Sequence, residues 1–170
     1  MKKILLICLF ALTGCATNNV SFTNTNQKIK AESSVYIAKP TDGKYESKEY
    51  DGSGAILQSK LVNHFSEVSN DVMYANSVKT NDQNMKDARA NNASVLVVPQ
   101  ITLWEDRNTP WSGKRDKVKL ILTSYDVSKN KTMNRAVLYG TNRWFTFVNN
   151  RPSVLLDAMI SKYLQQVIDR

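Results

Sequence analysis

The sequence predicts an α/β domain with a mixed sheet of about five strands and three packed helices, in the order β-α-β-α-β-β-β-α. Three observations carry that prediction. Short apolar runs alternate with helical periodicities through the first half of the chain, four consecutive apolar residues occur at Val95–Val98, and two long β-rich runs flank a polar turn before a final apolar stripe.

The elements follow in order. Ser34-Val35-Tyr36-Ile37-Ala38 is a strand closed by Lys39-Pro40. A polar loop from Thr41 to Gly52 contains Asp42-Gly43 and Asp51-Gly52. Ser53 is placed to cap a helix whose apolar positions, Ile56, Leu57, Leu61, Phe65 and Val68, share one face. Val72 to Ala75 forms a short strand. Thr80 and Gln83 have the spacing of a capping box that opens a modest helix through Met85, Ala88 and Ala90, although the stretch from Ser77 to Asn84 also reads as loop. Ser94 to Val98 is a strand buried on both faces, continuing towards Trp104 with a bend or an edge at Pro99. Lys117 to Val127 and Thr132 to Phe147 pair as a hairpin about Ser128-Lys129-Asn130-Lys131. Ser153 caps a last helix with Leu155, Leu156, Met159, Ile160, Tyr163, Leu164 and Val167 inward.

The first residues are not part of this fold. Lys2 and Lys3 precede an apolar run from Ile4 to Leu12, too short to span a bilayer, and Leu12-Thr13-Gly14-Cys15 resembles a lipobox. The expected organisation is a signal peptide over 1–14, a lipidated Cys15 with a flexible Asn- and Thr-rich tether over 15–33, and one domain over 34–170. Ala16 after the cysteine resembles the outer-membrane sorting pattern, and several acyl chains give stable anchoring. Cys8 leaves with the leader and Cys15 is used by lipid, so no thiol remains for a disulfide, a metal or a nucleophile. Loss of Lys2 and Lys3 lowers the formal charge from +8 to +6. Nucleic acid is not an expected partner for an exported chain, and the basic balance points to lipid headgroups, acidic cell-wall polymers or an acidic protein.

No catalytic set, cofactor motif or metal motif is found. His64 is the only histidine and flanks a packed helix face. Zinc-protease, nucleophile-elbow, phosphate-loop and EF-hand spacings are all missing. Glu105, Asp106 and Asp116 are the carboxylates on which a hydrolase or transferase would rest.

The segment from Trp104 to Asp116 is the most informative stretch, holding Trp104, Arg107, Trp111, Lys114 and Arg115, with Arg143 and Trp144 following on the next strand. These seven are the candidate partner-binding residues, because tryptophan with arginine anchors recognition surfaces. The competing structural reading packs Trp104, Trp111 and Trp144 together under Arg107 and Arg143. Lys114, Arg115, Lys117 and Lys119 make a basic cluster that Lys129, Lys131 and Arg135 extend. Tyr36, Tyr45 and Tyr50 could form a second aromatic surface.

Asp42-Gly43-Lys44-Tyr45, Tyr50-Asp51-Gly52-Ser53-Gly54, Trp104-Glu105-Asp106-Arg107, Trp111-Ser112-Gly113-Lys114, Asp126-Val127 and Asn142-Arg143-Trp144 resemble an uncharacterised family of short Gram-negative lipoproteins, a domain of unknown function. The resemblance spans about Tyr36 to Leu164 and implies no catalytic residue. More remotely, the element order is similar to lipoproteins that activate penicillin-binding proteins, to the curli secretion lipoprotein and to the TolB N-terminal domain. The expectation is a non-enzymatic lipoprotein on the periplasmic face of the cell outer membrane, without cofactor, binding a periplasmic protein or cell-wall polymer. The alternatives are an envelope hydrolase or transferase and a purely structural or stress lipoprotein.

Overall fold

The computed structural model describes residues 17–24, 27–106, 115–142 and 152–169. Its strands are β1 (Thr17–Asn24), β2 (Ile29–Lys30), β3 (Ser34–Ile37), β4 (Gly43–Tyr45), β5 (Lys48–Tyr50), β6 (Asp71–Tyr74), β7 (Val95–Glu105), β8 (Lys117–Asp126), β9 (Lys131–Thr141) and β10 (Ile168–Asp169). The helices are α1 (Ser53–Ser66), α2 (Asn81–Ala90) and α3 (Ser153–Val167). The predicted α/β architecture with three packed helices is present. Its main sheet has six strands in the order β1-β9-β8-β7-β3-β6, parallel where β3 meets β6 and β7 and antiparallel across β7, β8, β9 and β1.

The four apolar residues at the start of β7 are explained by burial on two sides. Val95 and Val97 join the larger core with Leu57, Leu61 and Phe65 of α1 and the inward stripe of α3. Leu96 and Val98 point the other way, into a smaller core with Tyr36, Met85, Ala88 and Val127 beneath α2. Pro99 lies just past the end of β3, whose register partners on β7 stop at Val97, so beyond that point β7 borders only β8 within the main sheet. Ile56, expected on the inner face of α1, is 41% exposed.

Within the segment expected to be a tether, residues 17–24 and 29–30 are strands instead. β1 pairs antiparallel with β9 from Thr17↔Thr141 to Asn24↔Arg135, and β2 pairs in parallel with β10, where Ile29 is fully buried. Thr17, Asn19, Ser21 and Thr23 face solvent, while Val20 and Phe22 pack against the core and Phe22 stacks on Tyr163 at 6.2 Å between ring centroids. Threonine, valine and phenylalanine suit an edge strand, and the β9 backbone supplies the hydrogen bonds that a coil would take from water.

The capping chemistry also differs in part. The Thr80–Gln83 capping box forms, with the helix starting at Asn81. At α1 the N-cap is Gly52, with φ of 82°, and the carboxylate that accepts from the helix start is Asp42, bonded to Gly54 N at 2.7 Å and Gly52 N at 3.1 Å. The Ser53 hydroxyl accepts from Gly43 N instead. The α3 N-cap is Pro152, with no side-chain cap, so Ser153 is the first helical residue. The loop from Thr41 to Gly52 contains the β4–β5 hairpin, and Tyr36 is a core residue whose hydroxyl meets Asp87 at 3.3 Å. The second hairpin strand ends at Thr141, and residues 143–147, expected to continue it, lie outside the described residues.

Buried polar groups are joined across elements. Gln58 Nε2 donates to Ile37 O and Ala75 O, satisfying carbonyls where β3 and β6 end. Tyr163 OH bonds Ser124 and Asn134, and burial raises its pKa. His64, beside Lys60, reaches Asp157 of α3 at 3.2 Å, linking the two helices. Burial of Asp157 opposes its ionisation, but the bonds from Lys60 and His64 prevail and lower its pKa.

Two outcomes are expected. Asp42→Ala removes both acceptors from the start of α1 and should lower unfolding free energy by about 1–2 kcal/mol in urea titrations. The Asp126 carboxyl is lowered to about 2 by bonds from the Ser128 hydroxyl and the Lys129 amide, which outweigh the opposing effect of burial. A depressed carboxyl stabilises the fold above its unfolded pKa and loses that contribution as pH falls. Asp126→Asn should therefore cost about 1 kcal/mol at neutral pH, and the gap to wild type should close between about pH 4 and pH 2.

Candidate functional site at the loop pole

Strand directions sort the loops into two poles. β3, β6, β7 and β9 all run towards one pole, at which β1 and β8 begin, but β3 and β6 stop level with Val97, eight residues short of Glu105 at the end of β7. In α/β folds ligands bind beyond the carboxyl ends of parallel strands, which places the candidate residues on the side where such sites form.

Register draws one row across this pole: Thr17 opposite Thr141, Thr141 opposite Lys117, and Lys117 opposite Glu105. Glu105 is 2% exposed and its Oε2 lies 3.3 Å from Lys117 Nζ. The next position holds Trp104 opposite Val118, on the core face. Trp104 is 4% exposed and packs against the β4–β5 hairpin, where a Cβ on Gly43 would fall 2.6 Å from Trp104 Cβ and 2.7 Å from Ile101 Cγ2. The absent side chain at Gly43 is what lets the hairpin lie against β7. Tyr50 OH sits 3.4 Å from both the amide and the carbonyl of Asp106, holding the end of β7.

Residues 107–114 and 143–151, which follow Asp106 and Asn142 in the sequence, lie outside the described residues. Their bases are tied together, because Asn142 Nδ2 donates to Asp116 Oδ2 at 2.7 Å and Asn142 N to Asp116 O at 3.3 Å. Of the predicted site residues, Trp104 and Arg115 are described, the first buried and the second exposed. Arg107, Trp111, Lys114, Arg143, Trp144 and the lipidation residue Cys15 fall outside, as does the expected contact among the three tryptophans. Lys117 belongs to the Glu105 pair, whereas Lys119 and Arg135 are exposed on the sheet.

Two of the carboxylates named for hydrolytic chemistry have side-chain partners, Glu105 on Lys117 and Asp116 on Asn142, whereas Tyr50 bonds only the Asp106 backbone and Asp106 Oδ1 is buried without a hydrogen-bond partner among the described residues. Among the described residues, no group of three or more His, Cys, Asp and Glu could hold a metal, and no helix is long and apolar enough to cross a membrane.

The sequence singled out Asp42, Tyr50 and Asn142 only within motifs, and Tyr50 as part of an aromatic surface; their structural roles were missed because each acts across a long stretch of chain. Sequence reasoning also missed a cleft of about 600 Å³ at the opposite pole, bordered by Lys28, Lys30, Arg89, Lys129 and Asp126. Arg89 is held there by its Nε bond to Val127 O at 3.4 Å.

The structure is similar to PelC of Paraburkholderia phytofirmans, solved as a dodecamer, at 16% identity with a TM-score of 0.67, covering 92% of this chain and 100% of that one. It is also similar to the lipoprotein GNA1162 of Neisseria meningitidis, at 13% identity and a TM-score of 0.52 over 79% and 97% of the two chains. Protein XCC0632 of Xanthomonas campestris matches at 8% identity and a TM-score of 0.53 over 81% and 83%. At these identities the likeness is one of fold. No curated protein matches the chain. Residues 27–167 match a family described as a domain of unknown function, DUF4823, and the chain belongs to that family.

Proposed function

We propose that the protein is a lipid-anchored accessory module on the periplasmic face of the cell outer membrane, acting without enzymatic chemistry by binding an envelope protein or cell-wall polymer at the loop pole. One observation carries the proposal. The Asp116–Asn142 tie and the row from Thr17 to Glu105 bring the bases of both Trp- and Arg-bearing segments to the pole where the chain enters from Cys15. The structural engagement of Glu105 and Asp116 favours binding over the hydrolase or transferase alternative, and the fold likeness to a lipoprotein supports the location. Crosslinking in intact cells should trap at least one envelope component on wild type that is lost from Trp111→Ala and Lys114→Ala. Unchanged partners in both variants would remove the loop pole from the proposal.

A second reading, compatible with the first, is self-assembly. PelC of P. phytofirmans is a dodecamer, and this chain leaves β1 and β6 as sheet edges, with Lys119 and Arg135 exposed and Ile121, Val137 and Tyr139 half-covered on the sheet between them. Native mass spectrometry of the full lipidated chain in detergent should give one discrete oligomer. A monomer at every concentration would exclude this reading.

A further inference from the structure

The cleft at the opposite pole lies where β7 begins and β8 gives way to β9, roughly 30 Å along β7 from Glu105. Its volume of about 600 Å³ falls within the roughly 300–1,000 Å³ of small-ligand sites. Val95, Val127 and Met133 are buried and line its floor, and the lining carries four cationic side chains against the single carboxylate of Asp126.

That carboxylate is already engaged. Asp126 Oδ1 accepts from Ser128 Oγ at 2.7 Å and from Lys129 N at 3.0 Å, and its Oδ2 pairs with Lys129 Nζ at 3.1 Å. Lys28 Nζ donates to Gln166 O. Lys30 and Arg89 differ, because among the described residues neither side chain meets a carboxylate. Asp169 stands beside Lys30 in the β2–β10 register without pairing to it. Arg89 Nε donates to Val127 O at 3.4 Å, which orients the guanidinium and leaves its two terminal amino groups as a fork that a carboxylate can fill.

The wall that carries Arg89 is tied in place. Ser34 Oγ donates to Asn92 O at 3.0 Å and accepts from Ser94 N at 3.1 Å. Ser94 Oγ donates to Ser34 O at 3.0 Å, and Ser94 O accepts from Val127 N at 3.0 Å. The end of α2, the starts of β3 and β7 and the end of β8 are thereby joined, which lowers the ordering cost of binding.

We infer that this cleft binds an acidic sugar unit of an envelope polymer, with the sugar carboxylate held by Arg89 and Lys30. The chemistry of the lining selects that class. A compact dianion such as phosphate is best held at a helix N-terminus, whereas α2 meets the cleft with its carboxyl end, whose dipole opposes concentrated negative charge. A single carboxylate avoids most of that cost. Asn92 and Ser128 offer neutral donors and acceptors to hydroxyl groups, and the apolar floor suits the C–H face of a sugar ring. The site shares no residue with the loop pole. The polymer's place in the envelope rests on the location proposed above, and the binding itself does not.

Titration calorimetry of the full chain in a non-ionic polyether detergent provides the test, with trigalacturonate as the probe. Glycerol phosphate, hexaglutamate and maltotriose stand for a lipid headgroup, an acidic peptide and a neutral sugar. Wild type should bind trigalacturonate at least about tenfold more tightly than any of the three. Lys30→Gln/Arg89→Gln should weaken that binding at least about tenfold, the scale of two charge-assisted hydrogen bonds. Lys48→Gln/Lys119→Gln removes the same charge from exposed positions on the hairpin and the sheet, and should stay within about twofold of wild type. Amide shifts of wild type on adding trigalacturonate should centre on Ser94, Val127 and Lys129, a readout that needs no variant. No binding by wild type, shifts centred elsewhere, equal weakening in the two double variants, or equal affinity for any comparison ligand would overturn the proposal.

Discussion

The antiparallel register of β1 on β9 is the constraint on which the rest of the account depends. It converts a polar segment that could have been a leash into the edge of the sheet, and it fixes Thr17 opposite Thr141. Val20 and Phe22 reach the core from this strand, and Phe22 stacks on Tyr163, whose hydroxyl joins β8 and β9 through Ser124 and Asn134. Lys162 of α3 donates to Asn18 O at 2.8 Å. The edge strand is thus held to the sheet, the helix and the buried polar network together.

Because strand directions are fixed by this pairing pattern, the two poles differ in kind. One gathers the starts of β1 and β8, the Asp116–Asn142 tie and the buried Trp104. The other holds a cleft edged by Lys28, Lys30, Arg89 and Lys129. Trp104 and Gly43 set the β4–β5 hairpin against β7, Tyr50 then reaches Asp106, and Glu105 meets Lys117 on the opposite face of the strand.

Much of the fold was legible because local pattern and tertiary role agree. Leu57, Leu61 and Phe65 repeat at helical spacing and are all fully buried, and the apolar stripe of α3 packs inward as its spacing predicts. Val95 to Val98 declared a strand covered on both faces, as the two cores confirm. β1 was hidden because its inward positions include Asn18 and its outward ones are Thr, Asn and Ser, a composition shared with linkers. The α1 cap was misassigned to Ser53 because Asp42 acts from ten residues upstream of Gly52, folded back by the hairpin. The site was legible only as a segment rich in Trp and Arg. That Trp104 is core, that Glu105 faces Lys117, and that both segments share a root at Asp116–Asn142 depend on register, which no local pattern encodes.

Amide hydrogen exchange of the lipidated protein tests the central claim most directly. If β1 is a strand of the sheet, the hydrogen-bonded amides from Thr17 to Asn24 should be protected at levels approaching their partners on β9, with fraying confined to the ends. Exchange across this whole segment at the rate of an unstructured chain, with β9 protected, would restore the tether and contradict the account.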